Sequence, residues 1–133
     1  MTPTYRRYFV SMALFWLVFG LGTAFYPKMM QLFMTPDGVA ASTAFANHVW
    51  LHDGLDIISV SLLLLALSRV PATKTALRLA AVVGLMPTLG IANALLTTSF
   101  WQPIFVVPGL GCLAFAVWGF VLSRTAPSTT SSS

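Results

Sequence analysis

The side chains that could take part in chemistry are concentrated in one short stretch, residues 47–59. This stretch holds both histidines and two of the three acidic residues of the 133-residue chain. At about 100° per residue in a helix, His48, His52, Asp56 and Ser59 fall within roughly one quarter of the helix surface. We call these four residues the His/Asp stripe. Asp53 lies beside the stripe, and the pattern predicts a polar site at the start of an apolar helix.

Metal binding is one interpretation of the stripe. Histidines four residues apart, such as His48 and His52, are a known ligand spacing, and His52 with Asp56 repeats it. However, about 12 Å along the helix axis separates His48 from Asp56, so one ion cannot bind both. The other helices contain neither histidine nor carboxylate. They and their flanking segments offer only donors for a soft ion such as Cu(I), namely Met29, Met30, Met34 and Cys112. We therefore predict no metal site, with His48 and His52 as weak candidates, and no haem.

A proton or ion pathway is the second interpretation, and transport of a small solute, proton or ion is our alternative prediction for the function. Such a pathway needs a polar route through the inner half of the protein, where the sequence offers little beyond Ser11, Ser61 and the helix-breaking Pro87. Catalysis has less support, because no nucleophile motif is present and Cys112 has no basic partner in sequence. His52 and Asp56 could still act as a base and its orienting carboxylate. The sequence favours a protein that is not an enzyme.

A pocket for a small amphipathic molecule, such as a quinone or a lipid headgroup, is the third interpretation. The His/Asp side chains would bond a polar head, and Trp50, Phe25 and Trp101 would form aromatic walls. Tryptophan is also enriched at membrane interfaces without any ligand.

The fourth interpretation is a packing subunit of a larger complex. The small residues that would allow close helix contacts are Gly20, Gly22, Ala24, Gly109 and Gly111.

The composition requires a membrane environment for these residues. Hydrophobic residues make up 57% of the chain and charged residues 8%, and the mean hydropathy is +0.84. Ordinary soluble domains carry about 25% charged residues, so the sequence predicts an integral membrane protein of one domain. The net charge of +4 comes from basic residues scattered between apolar segments, which excludes a nucleic-acid surface. A single cysteine excludes an intrachain disulfide.

The hydropathy pattern predicts an all-α bundle of four transmembrane helices, at about residues 8–26, 43–68, 75–98 and 104–123. Residues 35–38 read as a turn, Ser42 or Thr43 as the cap of the second helix, and residues 125–133 as a disordered Ser/Thr-rich tail. Pro87 should kink the third helix, with Thr88 or a neighbouring helix satisfying the freed carbonyl. A cleaved signal peptide is the competing interpretation of the first helix.

The basic residues predict the topology. With four spans, the residues on one side are Arg6, Arg7, Arg69, Lys74, Arg78 and Arg124. The positive-inside rule then places both termini in the cytoplasm. Lys28 is the only basic residue on the outer side. The His/Asp stripe, Asp53 and Asn93 lie on that side too. Because an unpaired charge at membrane depth is costly, we expect Lys28 to pair with Asp53 or Asp56.

Several of these features resemble the DoxX-like group of small four-helix bacterial membrane proteins. Those chains open with an Arg-flanked, Gly-rich helix (here residues 7–22) that is closely followed by a lysine, here Lys28 within Phe-Tyr-Pro-Lys-Met. An acid then precedes a Leu-rich run and a basic turn, here Asp53 or Asp56 before residues 62–69. The acid of the group is usually Glu, and the two histidines are not part of its pattern. Because the group includes a quinone-oxidoreductase subunit, the resemblance implies a redox or quinone-associated role.

These observations lead to one main prediction. We expect a multi-pass protein of the inner (plasma) membrane that acts as a non-catalytic or accessory component of a membrane complex, with quinone as the cofactor to test. Its partners would be the lipid bilayer, other membrane subunits or further copies of the chain, and not nucleic acid. The candidate residues for ligand binding or ion pairing are His48, His52, Asp53, Asp56, Lys28 and Asn93.

Overall fold

The computed structural model describes residues 3–42 and 44–127. Within these ranges the fold is all-α, as predicted, and one isolated β-bridge is the sole strand-like pairing. The elements are α1 (Pro3–Phe25), α2 (Pro27–Gln31), α3 (Pro36–Ala41), α4 (Ala44–Leu67), α5 (Lys74–Thr97), a 3-10 helix (Pro103–Phe105) and α6 (Val106–Thr125). The four long helices are each apolar and long enough to cross a bilayer. The chain is therefore a small, multi-pass integral membrane protein.

The two ends of the described chain meet at one end of the bundle. The Tyr5 hydroxyl lies 3.3 Å from the Thr125 hydroxyl, which joins the start of α1 to the end of α6. The Pro127 carbonyl accepts a 3.3 Å hydrogen bond from the Lys74 backbone N–H at the start of α5. We call this the terminal end and the opposite one, which carries α2 and α3, the loop end. Which end faces the cytoplasm stays a prediction.

Several boundaries differ from those expected. α1 begins at Pro3, five residues earlier than predicted, because proline is tolerated in the first turn of a helix. Residues 125–127 belong to the helical domain, since α6 continues to Thr125 and Ala126 is buried. The remainder of the predicted tail, residues 128–133, lies outside the described residues.

The predicted turn at residues 35–38 is instead the start of the short helix α3. Thr35 has an extended backbone and its hydroxyl accepts a 3.2 Å hydrogen bond from the Gly38 N–H, while Pro36 occupies the first helical position. Both features are favourable at a helix start. The Ser42 hydroxyl donates to the Val39 carbonyl at 2.8 Å, so it ends α3 and does not cap α4. Thr43 lies outside the described residues.

The four long helices are arranged as two pairs. α1 packs along α4 and α5 packs along α6, while α1 and α6 connect the two pairs. The described parts of α4 and α5 hardly contact each other. The α1–α4 pairing depends on small residues: a Cβ atom added to Gly54 would lie 2.4 Å from the Ala24 backbone nitrogen, and one added to Gly20 would lie 3.0 Å from the Gly54 carbonyl oxygen. The prediction that Gly20 and Ala24 permit close helix contact is confirmed.

Pro87 lies inside α5, whose helical assignment continues through it. The Thr88 hydroxyl lies 3.1 Å from the Gly109 carbonyl oxygen of α6 and 3.5 Å from the Gly84 carbonyl oxygen of α5. This is a polar tie between α5 and α6 close to the proline. The carbonyl that Pro87 leaves without its usual donor is that of Val83, so these contacts of Thr88 do not satisfy it as predicted.

The terminal half of the bundle is closely packed. Tyr8, Phe9, Met12 and Leu77 are fully buried, and the Tyr8 ring makes edge-to-face contacts with Phe9 and Trp118, each at 5.3 Å between centroids. The described helices are therefore in close contact around these side chains.

The loop end is closed by two segments that pair with each other. Met34 and Trp101 form the β-bridge, and the Gln102 N–H donates to the Phe33 carbonyl at 2.7 Å. The Thr35 N–H donates to the Phe100 carbonyl at 2.9 Å. We call this pairing of residues 33–35 with residues 100–102 the loop clamp. It joins α2 and α3 to the turn before α6, and the sequence did not predict it.

Candidate functional site

A partly open cavity of about 330 Å³ lies in the loop half of the bundle. All four long helices, α2 and the 3-10 helix contribute to it. Six aromatic side chains lie on its wall, namely Phe15, Trp16, Phe19, Trp50, Trp101 and Phe105. Such a volume with mostly aromatic and apolar walls is typical of a small-molecule site.

Each long helix presents one face to the cavity. On α5 the lining residues are Pro87, Gly90, Ile91 and Ala94, which follow the i, i+3, i+4, i+7 spacing of a single helix face. On α4 the face is Trp50, Asp53 and Ile57. The cavity therefore lies between the two helix pairs, where α4 and α5 do not close on each other.

The exposure of the lining residues shows where the cavity opens. Trp16, Thr23 and Cys112 are buried and form its floor, while Asp53 and Gly90 are exposed. A Cβ atom added to Gly90 would meet no described atom within 4 Å, so there is free space in front of it. Asp53 and Gly90 thus mark an opening between α4 and α5.

Both ends of the cavity are covered. Toward the loop end, the Trp101 ring stacks on Phe105 with centroids 4.3 Å apart and planes 14° apart, and the loop clamp holds Trp101 in place. Toward the terminal end lies the closely packed core around Met12. A molecule in this cavity would therefore enter sideways, from the direction of the lipid.

The polar groups of the cavity are few. Asp53 is the single carboxylate on the wall, and no basic side chain lines it among the described residues. The Thr23 hydroxyl lies 3.7 Å from the Met30 sulfur. Cys112 is a free, buried thiol without a basic neighbour on the wall. The arrangement can hold an apolar molecule and offer its polar group a negatively charged hydrogen-bond acceptor.

The His/Asp stripe does not line the cavity. His48, His52, Asp56 and Ser59 are all exposed on the outer side of α4. Asn93 on α5 is also exposed and outside the wall. Among the six candidates, only Asp53 reaches the cavity, because it lies off the stripe and on the face of α4 that turns toward α5.

The two histidines are close to each other. Their Nε2 atoms are 3.2 Å apart, and their rings meet edge to face with centroids 4.7 Å apart. Within the described part of the chain, each imidazole has only the other as a hydrogen-bond partner. No group of three His, Cys, Asp or Glu side chains suited to a metal is found among residues 3–42 and 44–127.

Lys28 is exposed on α2. No ion pair within 4.0 Å joins it to Asp53 or Asp56 among the described residues. The pairing therefore stays a prediction for the protein in its bilayer, and it can be tested by mutation.

The aromatic walls were anticipated in part. Trp50 and Trp101 lie on the cavity as expected, but Phe25 does not, because it is 65% exposed at the end of α1. The sequence analysis missed the residues of α1 and the 3-10 helix. A usable signal was the i, i+4 spacing of Phe15 and Phe19 beside Trp16, which places three aromatic rings on adjoining faces of one helix.

Comparison with models of known protein families found no match, and comparisons with curated proteins and with solved structures found none either.

Proposed function

We propose that this protein is a non-catalytic component of a membrane complex that binds a quinol, a lipophilic molecule with one planar ring, in the cavity between α4 and α5. The observation that supports this most is the aromatic wall around a 330 Å³ space with one carboxylate at its opening. We further propose that the membrane is the bacterial inner membrane, as the resemblance to DoxX-like proteins implies.

The shape of the wall favours a flat ring. Aromatic rings prefer offset-stacked or edge-to-face neighbours with centroids about 4.5–7 Å apart, and each such pair contributes about 0.5–1.5 kcal/mol beyond area burial. Trp50 from α4 and the stacked Trp101 and Phe105 supply ring faces and edges on different sides of the cavity. A planar ligand can thus contact several rings at once.

Asp53 favours the reduced form of the ligand. An ionised carboxylate only accepts hydrogen bonds, so it bonds the hydroxyl of a quinol and repels the carbonyl oxygen of a quinone. The apolar remainder of the wall suits the ring substituents and the lipid tail, which can leave through the opening between α4 and α5.

The side chains support binding more than conversion of the ligand. Among the described lining residues, Cys112 is the one thiol, and the wall includes neither a histidine nor another basic side chain. General acid–base catalysis needs a titratable group within hydrogen-bond reach of the reacting atom, usually with an orienting partner. The exposed outer surfaces of α4 and α5 are available for other membrane subunits, which is consistent with an accessory role.

The proposal is tested by fluorescence titration of the purified protein in a mild detergent with a short-chain benzoquinol. Four tryptophans are present, and three of them, Trp16, Trp50 and Trp101, lie on the cavity, so bound quinol should quench them saturably. Gly90→Phe places a ring in the free space of the cavity and should weaken binding by roughly tenfold or more, a change of about 1.4 kcal/mol.

Leu89→Phe is the matched control, because it adds a ring one residue away at a side chain that is 58% exposed and off the wall. It should bind like the natural protein. Quenching that rises linearly with quinol and is equal in all three proteins would reflect partition into the micelle and would contradict the site. The accessory role is tested separately by native mass spectrometry of the protein released directly from membranes. Release of the chain without any other subunit would count against this role.

A further inference from the structure

We propose that His48 and His52 form a divalent metal site on the outer side of α4, separate from the quinol cavity. The ligand class is a first-row transition ion with Zn²⁺-like preference for imidazole nitrogen. The inference rests on the convergence of two Nε2 atoms that are 3.2 Å apart and is independent of the proposed function.

The distance between the two nitrogens fits a metal ion. Zinc binds imidazole nitrogen at about 2.0–2.1 Å in tetrahedral geometry, so two such ligands stand about 3.3–3.4 Å apart. The observed separation differs from this by only about 0.1–0.2 Å, so the distance between the two nitrogens is compatible with their sharing one ion. Histidines at i and i+4 on one helix face are the spacing that zinc-binding helices use.

The surroundings of the pair favour an external ligand. The two serines of α4 bond back to their own helix: the Ser59 hydroxyl donates to the Leu55 carbonyl at 2.9 Å, and the Ser61 hydroxyl donates to the Ile57 carbonyl at 2.9 Å. The imidazoles instead bond to each other and are exposed. They stand in the first two turns of a membrane span that begins at His48, close to the interface from which a dissolved ion would approach.

The site is open. No third His, Cys, Asp or Glu among the described residues completes it, and Asp56 is two turns away from His48. Water therefore fills the remaining positions, as in metal sites that keep positions open for an incoming ligand. The sequence analysis predicted no metal site, with His48 and His52 as weak candidates, because the other helices offer no histidine or carboxylate as a further ligand. The present proposal instead needs only the two histidines and water.

Isothermal titration with Zn²⁺ of the tag-free, full-length protein in detergent at pH 7.5 tests the site. We expect one ion per chain, with an affinity that falls roughly tenfold or more in His48→Ala and in His52→Ala. The double variant Val49→His/His52→Ala keeps two histidines but turns them about 100° apart on the helix, so it should bind as weakly as the single variants. Asp56→Ala should bind like the natural protein.

Circular dichroism of each variant checks that the helices remain, which is expected because both histidines are exposed. Zinc affinity that is equal in the natural protein and in Val49→His/His52→Ala would overturn the proposal, since it would mean that any two histidines suffice. The absence of stoichiometric binding by the natural protein would also overturn it.

Discussion

Glycine is used in opposite ways where α1 meets α4 and where α4 faces α5. On one side, α4 meets α1 at Gly54, where an added Cβ would lie 2.4 Å from the Ala24 backbone nitrogen. Across the bundle, α5 turns Gly90 toward the cavity, where an added Cβ would meet no described atom within 4 Å. One glycine allows two helices to touch, and the other leaves the space between α4 and α5 open.

This comparison explains how a small bundle can be both stable and hollow. Within a bilayer, lipid tails are as apolar as leucine, so helices associate through close packing and polar contacts. The α1–α4 pair gains packing along the row of small residues, while the Thr88–Gly109 contact strengthens the α5–α6 pair. The two pairs can therefore stay folded without closing on each other, and the cavity occupies the space that remains.

The largest effect should come from adding a side chain at Gly54, where α1 and α4 are in backbone contact. Gly54→Ala places a methyl group against the backbone of α1, which cannot move without separating the two helices. Overpacking of this kind typically costs about 1–3 kcal/mol. We expect a clear fall in the thermal unfolding temperature of the protein in detergent, measured by circular dichroism. An unfolding temperature equal to that of the natural protein would mean that α1 and α4 are not held in backbone contact.

The second prediction concerns the Asp53 carboxylate at the cavity opening. Asp53→Asn removes the negative acceptor at the cavity opening but keeps the size of the side chain, so quinol affinity should fall roughly tenfold, or about 1.4 kcal/mol. Asp56→Asn is the matched control, since Asp56 is exposed and outside the wall. Fluorescence titration compares the two variants. Equal losses in both would show that net charge, and not the position of Asp53, controls binding.

The third prediction is a second glycine-to-alanine substitution, at Gly90 beside the cavity opening. Gly90→Ala should stabilise the protein by about 0.5–1 kcal/mol, because alanine loses less backbone entropy than glycine in a helix and its methyl group meets nothing. The change is small enough to leave quinol binding nearly unaltered, unlike Gly90→Phe. A loss of stability similar to that of Gly54→Ala would show that α4 and α5 are in contact at this position.

The sequence predicted the architecture because long apolar runs leave few alternatives in a membrane. It also predicted that Gly20 and Ala24 lie at a helix contact. It did not predict the loop clamp, because the pairing of residues 33–35 with residues 100–102 depends on how two distant turns meet. Helix periodicity separates Asp53 from the group formed by His48, His52 and Asp56, but only the packed structure shows that this group faces outward and that Asp53 lies at the cavity opening.

The smallest effect on stability is expected from substitution of Lys28. This substitution tests whether an ion pair with Asp53 covers the cavity opening between α4 and α5. If Lys28 pairs with Asp53, the pair would draw α2 toward the opening of the cavity and stabilise the fold. Lys28 is instead exposed, without an ion pair among the described residues, and surface substitutions of this kind usually change stability by less than about 0.5 kcal/mol.

Lys28→Ala should therefore leave the thermal unfolding temperature at pH 7 almost unchanged, and Lys28→Arg serves as the control that keeps the charge. A fall in the alanine variant alone would establish the ion pair predicted from the sequence. In that case the same variant should also bind quinol differently, because Asp53 would lose its partner at the cavity opening. Unchanged stability together with unchanged quinol affinity would mean that Lys28 does not pair with Asp53. The Asp53 carboxylate at the cavity opening would then be available to accept a hydrogen bond from the ligand.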